Sequence, residues 1–113
     1  MSQVTTHILD TTTGKPAGNV AIILYQQYNN EGWKEIAKGV TNEDGRIPDL
    51  LAQESVLPFG NYKMRFEIKP YFDGQIVSTF YPYIEIIFEI KTIEHYHIPL
   101  LLSPFGYSTY RGS

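Results

Sequence analysis

Apolar and polar side chains alternate along most of this chain. Between residues 62 and 68 every even position is apolar and every odd position is charged. Residues 84–90 follow the same pattern except at Ile87, with Ile84, Ile86, Phe88 and Ile90 on one side. Because successive side chains of a strand point to opposite faces, a period of two predicts β-strands with one face in a core and the other in solvent.

Further candidate strands cover residues 4–9, 20–27, 33–40, 96–102 and 106–111, and turn signals separate them. Glycine or asparagine, which tolerate positive φ, occurs in each of the segments 13–16, 29–32, 42–45 and 59–61. Helical patterns are limited to a turn or two near residues 50–55 and 70–73. Many short strands with regular turns are typical of a β-sandwich or barrel. Residues 1–113 are therefore predicted to form a single all-β domain.

Composition and charge narrow the classes of partner. The net charge is −3, and lysine and arginine form no cluster that would attract phosphate backbones or anionic lipid. The longest apolar runs fall far short of the roughly 20 residues that cross a bilayer. We expect no nucleic acid and no membrane partner. There is no cysteine and the first residues lack a signal-peptide pattern, so a cytoplasmic location is expected.

Strand parity also predicts where the three histidines of the chain point. In residues 96–102 the even positions are apolar and face the core, so His95 and His97 face outward. Burial of Val4 and Ile8 in the first strand leaves His7 on an outer face as well. All three rings are thus predicted to lie outside the core.

Apolar side chains accompany His97 on its predicted outer face. Pro99 and Leu101 have the same parity as His97. Apolar residues on an outward face indicate a subunit interface. Histidines in such an interface would occupy a partly desolvated cleft, where they can take part in chemistry. Taken alone, each histidine is also consistent with a solvated surface residue.

Five segments together resemble a known family. They are THILD at 6–10, GKPA at 14–17, TNEDGR at 41–46, HYHIPLLLSP at 95–104 and YSTYRGS at 107–113. These segments resemble the 5-hydroxyisourate hydrolases, which are relatives of transthyretin, and they match in register over nearly the whole chain. The ending YRGS is the most specific, because it distinguishes the hydrolases from the hormone-carrying transthyretins.

The resemblance implies a fold, an assembly and an activity. The fold would be a transthyretin-like β-sandwich of two four-stranded sheets with one short helix. The assembly would be a homotetramer with a channel at the contact between dimers. The activity would be hydrolysis of 5-hydroxyisourate to 2-oxo-4-hydroxy-4-carboxy-5-ureidoimidazoline in urate degradation, with no metal and no cofactor.

The resemblance also assigns site residues. It implies that His7, Arg46 and His97 are catalytic. It implies further that the substrate contacts His7, Arg46, Tyr110, Arg111 and Ser113, so that the C-terminal segment YRGS contributes to the site.

The assigned residue types suit the hydrolysis of a cyclic amide. The reaction needs an activated water, stabilisation of an oxyanion and a proton for the departing nitrogen. A neutral histidine accepts a proton at neutral pH, and the planar guanidinium of Arg46 fits the oxygens of an oxidised purine. We assign His97 as the base and His7 as its partner, and the reverse assignment stays open.

Three alternatives remain at this stage. The chain could carry a small aromatic ligand in a tetramer channel, as transthyretin does. His7, His95 and His97 could ligate zinc, although no acidic partner for them is evident and Arg46 would repel a dication. Finally, the sandwich could serve only for protein contacts.

Overall fold

The computed structural model describes residues 2–112, in which eight strands and one short helix are formed. The elements are β1 (Val4–Asp10), β2 (Lys15–Pro16), β3 (Ala21–Gln27), β4 (Trp33–Val40), β5 (Gly60–Glu67), α1 (Lys69–Asp73), β6 (Ile84–Ile90), β7 (Tyr96–Ser103) and β8 (Gly106–Thr109). No helix within this part of the chain is long and apolar enough to cross a membrane.

The strands form two four-stranded sheets. The first sheet has the order β2-β1-β7-β8 and the second has the order β4-β3-β5-β6. Neighbouring strands are antiparallel except for β1 and β7, which run parallel. The predicted sandwich of two four-stranded sheets with one short helix is confirmed.

The inner faces of the two sheets enclose one hydrophobic core. Its largest fully buried side chains include Tyr62, Phe66, Phe72, Ile8 and Ile22. The predicted alternation is confirmed in β1 and β5, where buried and half-buried residues follow each other strictly over most of the strand. Each large apolar side chain that is fully buried stabilises the fold by about 1.5–3 kcal/mol.

The outer face of the second sheet is charged. Glu85 Oε2 lies 3.3 Å from Lys63 Nζ and 3.5 Å from a terminal nitrogen of Arg65. Ile87 lies among these charges and is exposed, as its parity predicted. The outer face of the first sheet differs, because it carries the histidines.

The expected helical turn near residues 50–55 is not formed. Leu50 and Leu51 are buried there, and the backbone N–H of Leu51 donates to Ser2 Oγ at 3.3 Å. A helix of one or two turns gains too few hydrogen bonds to offset nucleation, so tertiary contacts decide the conformation. The helix expected near residues 70–73 is present as α1.

Two strand boundaries also differ from the sequence prediction. Lys15 and Pro16, read as part of a turn, pair with Asp10 and Leu9 as the edge strand β2. At the other edge, β8 ends at Thr109 rather than at residue 111. The chain leaves the β7–β8 ladder there, and the Gly112 backbone then pairs with His97 as an isolated bridge.

Candidate active site

The parallel pairing of β1 with β7 brings two of the predicted histidines onto one surface. Thr5 lies opposite His97, and His7 lies opposite Pro99, two residues farther along. His7 and His97 are half-buried on the outer face, whereas their neighbours Thr6 and Ile98 are buried. The predicted outward orientation of His7 and His97 is confirmed. Two residues along a strand correspond to about 6.6 Å, so both rings can reach one small ligand.

A tight loop after β4 places Arg46 beside His7. Asn42 Oδ1 accepts hydrogen bonds from the backbone N–H groups of Asp44 at 2.9 Å and Arg46 at 3.1 Å. Gly45 has φ +73°, and its carbonyl accepts a 3.0 Å hydrogen bond from the N–H of Ile8. The loop thereby docks on β1, and Arg46 forms an isolated bridge with His7.

Arg46 and His97 border one cleft of about 570 Å³, which we call the Arg46 cleft. This volume is within the range of small-molecule sites. Its lining residues are Thr5, Thr6, Arg46, Ile47, Pro48, Asp49, Gln53, His95 and His97. The cleft combines a cation, a carboxylate and two imidazoles, so it can bind a polar heterocycle.

The His97 ring is held on two sides. Its Nδ1 lies 2.8 Å from Thr5 Oγ1. On the other edge, a Cβ built on Gly112 would lie 2.5 Å from His97 Cδ2, so only glycine fits there without a shift. The N–H of Gly112 also donates to the His97 carbonyl at 2.8 Å.

Burial and positive charge keep both histidines neutral. Desolvation by burial lowers the pKa of His97, and the charges of Arg46, His95 and His7 lower it further. The pKa of His7 is lowered mainly by burial and then by Arg46, while Asp44 opposes this shift. A neutral imidazole at pH 7 can accept a proton from water.

The C-terminal residues lie beside a second hollow. Tyr110 and Arg111 border a space of about 520 Å³ that also touches His97. The Arg111 guanidinium lies 4.3 Å from the centre of the Tyr96 ring, and its Nη2 lies 4.0 Å from a Glu94 carboxylate oxygen. Tyr110 and Arg111 are not among the residues of the Arg46 cleft, so their contact with substrate stays a prediction. Ser113 lies outside the described residues.

The sequence of this chain was compared with models of known protein families. The family model described as HIUase/Transthyretin family matches residues 4–112. The chain belongs to this family.

Similar proteins within the family include 5-hydroxyisourate hydrolases and a transthyretin. A 5-hydroxyisourate hydrolase of Salmonella typhimurium is 49% identical over 108 residues, covering 95% of this chain and 78% of the relative. The solved 5-hydroxyisourate hydrolase of Klebsiella pneumoniae is 38% identical with a TM-score of 0.83, over 97% of this chain and 92% of that one. A sea bream transthyretin in complex with thyroxine is 35% identical with a TM-score of 0.91, over 98% and 95%. The fold is therefore common to both branches of the HIUase/Transthyretin family, and the site must decide between them.

The zinc alternative has no geometric support in the described chain. Among residues 2–112, no three His, Cys, Asp or Glu side chains are grouped so that they could hold a metal ion. His95 Nε2 and His97 Nδ1 are both hydrogen-bonded to the Thr5 hydroxyl.

Sequence reasoning missed Thr5 as a member of the site. Thr5 shares its outward parity with His7, which is a signal in the sequence, but threonine is also a common strand residue. Only the register of β1 against β7 brings its hydroxyl between two imidazoles.

Proposed function

We propose that this chain hydrolyses 5-hydroxyisourate and that the Arg46 cleft is its active site. The observation that carries the proposal is the convergence of Arg46 and the half-buried, neutral His97 on one cleft. The backbone of His7 forms a bridge with that of Arg46 beside the cleft. The similar hydrolases of Salmonella and Klebsiella support the same substrate.

The side chains present can supply each step of the reaction. His97 accepts a proton from water, and the resulting hydroxide forms a C–O bond to the ring carbonyl of the substrate. Arg46 binds the substrate oxygens and stabilises the oxyanion. His97 then gives the proton that it took from water to the nitrogen as the C–N bond breaks, which opens the ring, and neutral His7 positions the water. Acid–base catalysis of this kind contributes roughly 100- to 10,000-fold in rate.

Tyr110, Arg111 and Ser113 are proposed to bind substrate in an assembled homotetramer. Support comes from Tyr110 and Arg111 lying beside His97 but in the second hollow. The outer face of the first sheet also carries the half-buried Leu9 and Leu101 near the histidines. A site between subunits would let one chain's C-terminal segment complete a neighbour's cleft. The absence of cysteine agrees with a cytoplasmic location.

The carrier function is the second candidate, and the similarity to sea bream transthyretin favours it. Transport of an apolar hormone gives no role to two neutral histidines beside an arginine. The two functions differ in turnover, because a carrier binds its ligand without changing it.

The test is the ultraviolet decay of 5-hydroxyisourate generated in place by urate oxidase. The wild type is predicted to accelerate the decay above the uncatalysed blank, and His97→Ala is predicted to lose the acceleration. Ile76→Ala serves as a control, because Ile76 is 96% exposed and is not among the residues that line the cleft. A wild-type trace that coincides with the blank would refute the hydrolase function and favour the carrier.

A further inference from the structure

The Thr5 hydroxyl lies between two histidine rings. Thr5 Oγ1 is 2.8 Å from His97 Nδ1 and 2.8 Å from His95 Nε2. The two rings are stacked, with centroids 6.3 Å apart and planes inclined by 22°. One hydroxyl therefore connects a proposed catalytic histidine to a second histidine at the rim of the cleft.

The number of hydrogens restricts the directions of the two hydrogen bonds that join His97, Thr5 and His95. A threonine hydroxyl has one hydrogen to donate and can also accept. It can therefore donate to only one of the two ring nitrogens, and the other ring must donate an N–H to it. When both rings are neutral, the direction of these two hydrogen bonds determines which nitrogen of His97 is protonated.

The role of His97 as a base selects one direction. Nδ1 of His97 is the nitrogen that lies at the Thr5 hydroxyl, so Nε2 is the nitrogen left to meet a water in the cleft. Nε2 accepts a proton only when it is the unprotonated nitrogen of the neutral ring, which places the hydrogen on Nδ1. The Thr5 hydroxyl then accepts from His97 and donates to His95 Nε2.

We propose that Thr5 is a positioning residue which, together with His95, fixes His97 in the tautomer with Nδ1 protonated and Nε2 free to act as the base. This inference rests on the proposed function of His97. Gly112 covers the Cδ2 edge of the ring. Among residues 2–112, Nε2 of His97 has no hydrogen-bond partner, so its lone pair is available to a water in the cleft.

The two hydrogen bonds of the Thr5 hydroxyl also offer a path for the proton taken from water. As Nε2 of His97 accepts that proton, the Nδ1 proton moves to Thr5 Oγ1 and the hydroxyl proton moves to His95 Nε2. His97 remains neutral with its tautomer reversed, and His95 carries the positive charge. His95 also borders a separate surface hollow whose lining includes Glu54. When Nε2 of His97 gives its proton to the leaving nitrogen, the proton on His95 returns through Thr5 to Nδ1 and the starting arrangement is restored.

The test combines tautomer and rate measurements. In protein labelled with ¹⁵N-histidine, His97 is assigned by its loss in His97→Ala, and its signals are expected to show Nδ1 protonated and Nε2 unprotonated. Thr5→Val keeps the shape of the side chain but removes the hydroxyl, and it is expected to give a mixture of tautomers. Its kcat should fall about 10- to 100-fold with KM unchanged, the usual cost of losing a group that orients a functional histidine.

Two further variants separate positioning from a general loss of structure. Thr5→Ser restores the hydroxyl and should restore both the tautomer and kcat. Thr109→Val removes a 2.7 Å hydrogen bond from a hydroxyl to the Pro99 carbonyl, on the neighbouring strand. It should leave the His97 tautomer unchanged. If Thr5→Val does not fold, His95→Phe is the deciding variant. Phenylalanine keeps an aromatic ring at position 95 but cannot accept the Thr5 hydrogen, so a mixture of His97 tautomers is again expected.

The outcomes separate this inference from the proposed function. A wild-type His97 protonated on Nε2, or a folded Thr5→Val with the original tautomer and full kcat, overturns the positioning role. The tautomer is read in the resting protein without substrate. An inactive wild type would therefore refute the hydrolase function while leaving the tautomer result intact. Activity that is lost in His97→Ala but kept in Thr5→Val refutes only the positioning role.

Discussion

Arg46 links the two histidines of the candidate site electrostatically. Burial is the largest cause of the lowered pKa of both His7 and His97, and the Arg46 charge is the next. A single cation therefore has two effects, since it binds substrate oxygens and also keeps the bases unprotonated. These effects can be separated by the pH dependence of the rate.

The first prediction concerns this pH dependence. Because the pKa of His97 lies below its ordinary value of 6.5, kcat/KM of the wild type should rise with pH through a value below 6.5 and then level off. Arg46→Gln removes the charge, so the acidic limb should move to higher pH and the plateau should fall. Arg46→Lys should lower the plateau but keep the limb near its wild-type position. An unmoved limb in Arg46→Gln would contradict the electrostatic role.

The second prediction concerns the glycine that packs against His97. Gly112→Ala would place a methyl group 2.5 Å from His97 Cδ2, so the ring must move and kcat should fall. Gly106→Ala is the matched control in the same C-terminal region, because its added Cβ meets only Ser103 Oγ at 3.6 Å. Steady-state rates of the two variants should differ by about 10-fold or more. Equal rates would show that this packing does not position the ring.

At the scale of the elements, the loop of residues 41–46 determines whether Arg46 reaches the cleft. It is anchored at both ends, since Thr41 Oγ1 donates to the Ala17 carbonyl at 2.9 Å and the Gly45 carbonyl accepts from Ile8. At Gly45 the backbone is left-handed and a Cβ would lie 2.6 Å from the Ile8 carbonyl oxygen. The loop therefore has two separate reasons to require glycine.

The third prediction separates these two reasons. Gly14 has the same φ of +73° but no atom within 4 Å of its added Cβ. Gly14→Ala should lower the free energy of unfolding by about 1 kcal/mol. The left-handed backbone strains the folded state, and the smaller entropy of the unfolded chain offsets part of that strain. Gly45→Ala should lower the free energy of unfolding by a further ~1–3 kcal/mol, because its added methyl group would also clash with β1. Urea unfolding measures both, and equal losses would show that the loop does not press on β1.

The elements also show which features were accessible from sequence. Alternation is a local signal, so β1, β5, β6 and β7 could be predicted together with their buried faces. β2 could not, because two residues at a sheet edge contain no period. The buried turn at Leu50 and Leu51 depends on packing from distant segments, which a local pattern does not contain.

The site was predictable to a similar extent. The outward faces of His7 and His97 followed from strand parity, whereas Arg46 was assigned only by the family resemblance. Thr5 and His97 are separated by 92 positions, and their contact depends on the parallel register of β1 and β7. That register is not visible in either segment alone.

At the scale of the whole molecule, the two outer faces of the sandwich differ. The second sheet presents ion pairs around Glu85, while the first sheet presents histidines beside half-buried apolar residues. Leu101 lies between Leu9 on β1 and Ser108 on β8. This face is the one expected to be covered in the proposed tetramer.

The fourth prediction tests whether assembly is required for activity. Leu101→Glu should dissociate the tetramer in sedimentation velocity and abolish hydrolysis, although no proposed catalytic side chain changes. Ile76→Asp introduces the same charge at a position that is 96% exposed with φ +58°, a conformation that aspartate tolerates. This control should remain tetrameric and active. A monomeric Leu101→Glu protein with full activity would refute a site shared between subunits.

The most direct test of the whole account is a double-mutant cycle on the decay of 5-hydroxyisourate. Rates are measured for the wild type, Arg46→Gln, His97→Gln and the double variant, each against the uncatalysed blank. If both residues act on the same substrate in one cleft, the double variant should be no slower than the worse single variant, because groups that act as a unit lose their effect together. Fully additive losses, or a wild-type rate equal to the blank, would contradict the account.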